Sequence, residues 1–196
     1  GKHSDGSSAA TSCIVCEAGK VSNDIDFGVD SCSPCDKGKY SNQDLTLCLS
    51  CGVGKYLDVA GSDEESDCIE CVVGKYIDVT GSDEASDCID CIAGKYVNVA
   101  GSDEASDCIA CAAGSITDTG AAGGAVTCTA CAVGKYKAEY DSECRPCWEG
   151  EFNGAAGATS CSVCPGGRYG DSTGATSATQ CKVCPIGYYT GGEYRT

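Results

Sequence analysis

The residues able to carry chemistry in this chain are its cysteines, 20 of them in 196 residues. They form Cys-x-x-Cys pairs that begin at Cys13, Cys32, Cys48, Cys68, Cys88, Cys108, Cys128, Cys144, Cys161 and Cys181. Two such pairs in succession have the spacing of a four-cysteine zinc site, and a single pair has that of a thioredoxin-like redox motif. The redox reading needs a βαβ context, and no helical periodicity here runs longer than about a turn. The zinc reading is disfavoured by its surroundings: the chain is acidic, poor in aromatic residues, and has His3 as its one histidine and no basic recognition element. Disulfides fit best, because a cysteine at about one residue in ten, without any long apolar run, marks a cross-linked scaffold.

The elements that must position these cysteines repeat. From Cys48 to Cys108 the first cysteine of each pair recurs with a strict period of 20, and three near-identical copies fill the interval. A fixed period of this size marks a repeat architecture. Three residues after the second cysteine of every pair stands a glycine: Gly19, Gly38, Gly54, Gly74, Gly94, Gly114, Gly134, Gly150, Gly167 and Gly187. Such a position calls for a turn residue with positive φ or for close backbone approach to the neighbouring disulfide. Two residues further on comes an apolar side chain: Val21, Tyr40, Tyr56, Tyr76, Tyr96, Ile116, Tyr136, Phe152, Tyr169 or Tyr189. The stretches Tyr56-Leu57-Asp58-Val59 and Tyr76-Ile77-Asp78-Val79 favour extended structure. Each copy therefore reads as a small irregular β-hairpin closed by a polar turn, with strands of about six residues at most. Each tyrosine is expected to cover its own disulfide as that repeat's core. The preceding lysines are expected to pair with the acidic turn of the next repeat, to lie over a ring, or to stay solvated.

With two Phe, one Trp and no Met, a repeat of this size cannot fold on apolar burial alone. The expected fold class is small disulfide-rich repeats: an elongated, solenoid-like rod of about ten irregular β-hairpin modules of ~20 residues with almost no helix. Residues 1–12 resemble the second half of a split repeat, 13–184 form a continuous array, and 185–196 resemble the first half of another. The intervals from Cys35 to Cys48 and from Cys131 to Cys144 are shorter, 12 residues instead of 16.

Two pairings are open to a chain of such pairs. One joins the second cysteine of each pair to the first of the next: Cys16–Cys32, Cys35–Cys48, Cys51–Cys68, Cys71–Cys88, Cys91–Cys108, Cys111–Cys128, Cys131–Cys144, Cys147–Cys161 and Cys164–Cys181. Each such bridge closes a loop of about 15 residues, worth roughly 3 kcal/mol in the chain-entropy model. The other pairs equivalent cysteines crosswise, as in Cys13–Cys32 with Cys16–Cys35, and would double the period. The period of 20 favours the first, and both stay open on spacing alone. The first leaves Cys13 and Cys184 for bonds to neighbouring chains or to a next repeat, which predicts head-to-tail continuation.

Cys164-Pro165-Gly166-Gly167-Arg168-Tyr169 and Cys184-Pro185-Ile186-Gly187-Tyr188-Tyr189 resemble the cysteine-rich repeats of the tumour-necrosis-factor-receptor and ephrin-receptor type, and the likeness extends over nearly all of residues 13–190. The resemblance implies an extracellular location, elongated rods of stacked disulfide modules and the sequential pairing. The chain differs from those receptors in lacking the crossed-bridge module with its denser cysteines.

Net charge is −16, which argues against nucleic acid and against attraction to anionic membranes. No segment has the apolar length of a transmembrane helix, so direct membrane insertion of this stretch is not expected. The acidic turns Asp63, Glu64, Asp67; Asp83, Glu84, Asp87; and Asp103, Glu104, Asp107 are weak calcium candidates, since each offers three carboxylates where a Ca²⁺ ion wants about six to eight oxygens. No other metal and no cofactor is expected. Asn23, Asn42, Asn98 and Asn153 all miss the N-glycosylation sequon, while Thr119, Thr127, Thr159, Thr173 and Thr176 are candidate O-glycan carriers. No catalytic constellation or phosphate loop is present, so the chain does not read as an enzyme.

Two functions follow. The first is an extracellular structural repeat protein that self-associates head to tail into a filament or cell-surface coat. The alternative is a ligand-binding or adhesive ectodomain fragment of a cysteine-rich receptor. A ligand site needs a locally unique patch, and the best sequence candidate is Lys137 to Phe152, with Arg145, Trp148 and the shortened loop.

Overall fold

The computed structural model describes residues 15–22 and 32–190. By contacts the chain falls into two compact units, one running up to Ile69 and including Val79–Asp87, the other comprising Glu70–Asp78 and the residues from Cys88 onward. Both are built from the same element, a short hairpin tied at its base by a cystine. Among the described residues there are nine two-stranded sheets and no α-helix. In the first unit, Lys20–Ser22 pairs antiparallel with Cys32–Pro34, and Lys39–Ser41 with Cys48–Ser50. In the second, Lys75–Tyr76 pairs with Ile89–Asp90, Lys95–Tyr96 with Ile109–Ala110, and Ser115–Thr117 with Cys128–Ala130. The series continues with Lys135–Tyr136 on Arg145–Pro146, Glu151–Phe152 on Ser162–Val163, and Arg168–Tyr169 on Lys182–Val183.

Each hairpin starts at the glycine that follows its Cys-x-x. The amide of Lys39 donates to the Asp36 carbonyl at 3.2 Å, that of Lys95 to Ile92 at 3.0 Å, and that of Tyr188 to Pro185 at 3.0 Å. These are four-residue turns with glycine in the third place, where a type II turn requires positive φ. The φ values there run from 75° at Gly134 to 90° at Gly187. The turn chemistry thus explains why no other residue stands at that position.

The core of a repeat is a cystine and one side chain. Leu57 (2 % exposed) packs with Cys51 and Cys68, and Val97 (3 %) with Cys91 and Cys108. Tyr40 lies against the first cluster and Tyr76 against the second. The tyrosine therefore covers the disulfide of the following repeat and not its own, which corrects the sequence expectation. The residue after the tyrosine points inward, because successive side chains on a strand alternate faces. Where that residue is polar and buried it is satisfied. Ser41 accepts the Gly19 amide on its Oγ at 3.1 Å, and Asn153 donates to the carbonyls of Lys135 and Ala155 at 2.7 and 2.8 Å.

The acidic turns close as single 3₁₀ turns at Glu65–Asp67, Ala85–Asp87 and Ala105–Asp107. In each, the last aspartate folds back as a cap. The Asp67 Oδ2 accepts the amides of Asp63 and Glu64, and Asp87 and Asp107 do the same for their own turns.

Candidate functional site

The structure brings the cysteines together as Cys16–Cys32, Cys35–Cys48, Cys51–Cys68, Cys71–Cys88, Cys91–Cys108, Cys111–Cys128, Cys131–Cys144, Cys147–Cys161 and Cys164–Cys181. Cys184 is a free, partly exposed thiol, and Cys13 lies outside the described residues. Each bond closes one repeat into a ring, and the two residues between the cysteines of a pair are all that separates one ring from the next.

A second glycine series locks the junctions. In six of the described repeats a glycine amide donates to the carbonyl of the second cysteine one pair before the repeat's own: Gly61 to Cys35, Gly81 to Cys51, Gly101 to Cys71, Gly124 to Cys91, Gly157 to Cys131 and Gly174 to Cys147, all at 2.7–2.9 Å. The residue after that glycine then accepts on its carbonyl. Ser62 takes the Ser41 amide, Ser82 that of Leu57, Ser102 that of Ile77, Ala125 that of Val97, Ala158 that of Lys137 and Ala175 that of Asn153, at 2.9–3.2 Å. A Gly-Ser or Gly-Ala dipeptide is thus pinned by one donor and one acceptor. The glycine also abuts the Cys-x-x-Gly turn two repeats back. A side-chain carbon on Gly114 would come within 2.0 Å of the Gly157 carbonyl oxygen, and one on Gly134 within 2.3 Å of that of Gly174. This second series is invisible to a reading of adjacent motifs, because its contacts skip a repeat.

At one place in the second unit the pattern fails. The short Cys131–Cys144 repeat has no second glycine, and among the described residues neither the Cys111 carbonyl nor the Thr117 amide makes the equivalent bond. The Thr117 carbonyl is instead taken by the Gly120 amide, and its hydroxyl donates to the Gly120 carbonyl at 2.6 Å. Gly94, which should abut the missing glycine, is exposed and would meet nothing within 4 Å if given a side-chain carbon. The result is a cleft of about 360 Å³ between Ala93–Gly94 and Lys137–Ser142, floored by Cys111 and Ser115–Thr117. On its rim Asp141 is held by Arg145 at 2.9 Å and accepts the Ala138 amide at 3.3 Å, and Tyr140 is 93 % exposed. Part of the patch singled out from sequence, Lys137 to Ser142, therefore lines a cleft. Trp148 is 60 % exposed and lies outside that lining.

The other sequence candidates are placed as follows. The carboxylates Asp63, Glu64, Asp67, Asp83, Glu84, Asp87, Asp103, Glu104 and Asp107 do not converge: among the described residues no group of three His, Cys, Asp or Glu side chains is placed to hold a metal ion. The reason is local, since Asp67, Asp87 and Asp107 turn inward to cap backbone amides. Of the lysines before the tyrosines, Lys75 pairs with Asp90 directly across its own hairpin at 3.0 Å and not with an acidic turn; Lys182, on the opposite strand of its hairpin, pairs with Asp171. The hydrogen bond from Lys182 holds the Asp171 carboxyl below its usual range and raises the Lys182 ammonium. Thr119, Thr127, Thr159, Thr173 and Thr176 are all exposed.

No described helix is long and apolar enough to cross a membrane. No curated protein matches the chain. The family described as tyrosine-protein kinase ephrin type A/B receptor-like matches residues 22–68, 38–88 and 134–181, more than half of the chain. Each match takes in two or more successive cystine-closed repeats with the Cys-x-x-Gly turn, and this repeat family is not an enzyme family. The chain belongs to the ephrin-receptor-like family of cysteine-rich repeats.

Proposed function

We propose that this chain is an extracellular structural array that continues head to tail into a filament or a cell-surface coat. The observation that carries the reading is the setting of Cys184. Its amide donates to the Gly167 carbonyl at 2.9 Å, as Cys35 does to Gly19, Cys51 to Gly38 and Cys147 to Gly134. It is held in the manner of the paired cysteines, and its thiol is free. The complementary group is the first cysteine of a following pair, in a next repeat or supplied by Cys13 of another copy. Nine disulfides in a small-core protein favour an oxidising compartment, and membership of an ephrin-receptor-like family supports the same location. The exposed threonines carry O-glycans in this reading, and intact mass tests that.

Non-reducing mass spectrometry and negative-stain microscopy of the purified, oxidised protein test the assembly. The expected result is a ladder of covalent multimers joined through a Cys184 peptide, collapsing to monomer on reduction, with filaments on the grid. A monomer containing an internal Cys13–Cys184 bridge would sink the idea. The second reading, an adhesive or ligand-binding ectodomain, is favoured by the cleft beside Gly94, where the contact between repeats is replaced by open space.

A further inference from the structure

We propose that the cleft beside Gly94 binds, in trans, a glycine-containing turn of another polypeptide, with a Gly-Ser or Gly-Ala dipeptide as the recognised core. The molecule itself shows what fits such a place. Wherever the ladder is complete, a glycine donates its amide to a cysteine carbonyl, and the next residue accepts an amide from the strand, as Gly101-Ser102 does between Cys71 and Ile77. At the break those same two protein groups are the Cys111 carbonyl and the Thr117 amide, and both residues line the cleft. A carbonyl and an amide placed one dipeptide apart form a template for backbone, in the way an exposed strand edge templates an added strand. Gly94 supplies the third requirement. With φ +80 and nothing within 4 Å, it leaves room for the incoming carbonyl that abuts Gly38, Gly74, Gly114 and Gly134 in complete junctions. A volume of about 360 Å³ is in the range of small-ligand clefts and accommodates a turn of a few residues.

The occupant comes from a different polypeptide. In the described residues the chain's own turns at Gly61, Gly81, Gly124, Gly157 and Gly174 are already seated against Gly19, Gly38, Gly74, Gly114 and Gly134. A second copy would have to open one of those junctions to donate any of these five turns. The fitting partner is therefore a protein that displays an unpaired Gly-Ser or Gly-Ala turn with glycine in the left-handed region.

The test uses the oxidised full chain and the capped peptide Val-Ala-Gly-Ser-Asp-Glu, the sequence of residues 99–104. Titration followed by ¹⁵N–¹H NMR is expected to show saturable binding in about the millimolar range, as two backbone hydrogen bonds and a small contact allow. The Thr117 amide is expected to move downfield and to gain protection from exchange. L-alanine in place of the peptide glycine is expected to weaken binding about fivefold or more, because it resists the left-handed conformation. Ala93→Trp, an exposed position on the cleft wall, is expected to abolish binding without disturbing the distant amides. Absence of binding at several millimolar, binding unchanged by Ala93→Trp, or a Thr117 amide that does not respond would each overturn the proposal. So would peptide-free self-association that disappears in Ala93→Trp, since the occupant would then be a second copy.

Discussion

A side-chain carbon on Gly38 would lie 2.2 Å from the carbonyl oxygen of Gly81. Both glycines have positive φ, 76° each, and they belong to repeats separated by a third. The contact is backbone on backbone, so neither side can yield by changing a rotamer. Gly38→Ala therefore carries two penalties, the left-handed conformation and a clash that must push two repeats apart. Gly167 has the same φ of 76° and nothing within 4 Å. Gly167→Ala is expected to cost about 1–2 kcal/mol, and Gly38→Ala clearly more. Urea unfolding of the two variants side by side checks this. Equal losses would mean that the approach of Gly38 to Gly81 contributes nothing.

How much of this was legible beforehand differs between the two glycine series. Gly19 and its counterparts follow a cysteine at a constant distance, and the turn they need is local, so composition and spacing point straight to positive φ. Gly61, Gly124 and Gly157 sit in Gly-Ser, Gly-Ala and Gly-Ala contexts at varying distances from a cysteine, and their partners lie two repeats back. No local pattern announces such a contact. The cleft was legible only as a shortened interval between Cys131 and Cys144, since its consequence depends on that same skipped contact. A tyrosine is the one aromatic side chain that most repeats offer as a core, yet the deeply buried position is the next one, where Leu57, Ile77 and Val97 stand. Alternation along a strand would have identified it.

That inward position is the second prediction. Leu57 is 2 % exposed against the Cys51–Cys68 bridge, while Val59, two residues on, is 58 % exposed. Truncation of a buried leucine leaves a cavity that a cystine cannot collapse to fill. Leu57→Ala is expected to cost about 2–5 kcal/mol, and Val59→Ala to stay within about 0.5 kcal/mol of the parent. Thermal or urea denaturation of the oxidised proteins measures both. A Val59 effect as large as that of Leu57 would contradict this core.

The acidic turns lead to a third expectation. Asp67 accepts the amides of Asp63 and Glu64, which makes it a cap for the start of its own 3₁₀ turn, Glu65–Asp67. Asp67→Ala is expected to cost about 1 kcal/mol. Asp63→Ala, which leaves that cap intact, is expected to cost less. Because Asp67, Asp87 and Asp107 are engaged in this way, millimolar calcium is expected to leave the melting temperature where chelator leaves it. A calcium-dependent rise that vanishes in Asp63→Ala would contradict this expectation and place an ion at the turn.

The pair Asp171–Lys182 gives a pH signature. The lysine hydrogen bond, more than its charge, lowers the Asp171 carboxyl, and the same bond raises the lysine. A depressed carboxylate contributes its stability above its unfolded pKa, about 3.9, and loses it as pH falls through the lower folded value. A raised lysine contributes below its unfolded pKa and loses its share as pH rises through the folded one. Both groups are solvent-exposed, so salt screens the effect and the clearest readout is the titration itself. Carboxyl NMR is expected to place the Asp171 midpoint below that of an unpaired aspartate, and Lys182→Met is expected to raise it. An unmoved midpoint would mean that the pair is not formed in solution.

Disulfide function divides along the chain in the same physical terms. Cys51–Cys68 closes a loop with a sequence separation of 17 and supplies the buried wall on which Leu57 and Tyr40 pack. Replacing both cysteines by alanine is expected to cost about 3 kcal/mol through the freed unfolded chain, with a further loss from the emptied core. Cys184 closes no loop within the described residues, so Cys184→Ala removes no such constraint and is expected to leave the monomer's melting temperature unchanged. Its effect should fall on association instead. In non-reducing electrophoresis the parent is expected to form multimers that Cys184→Ala does not, while the Cys51/Cys68 double variant still does so at temperatures below its lowered midpoint. Multimers that survive Cys184→Ala would move the end-to-end link to another surface, and a destabilised Cys184→Ala monomer would show that this thiol is already paired inside the chain.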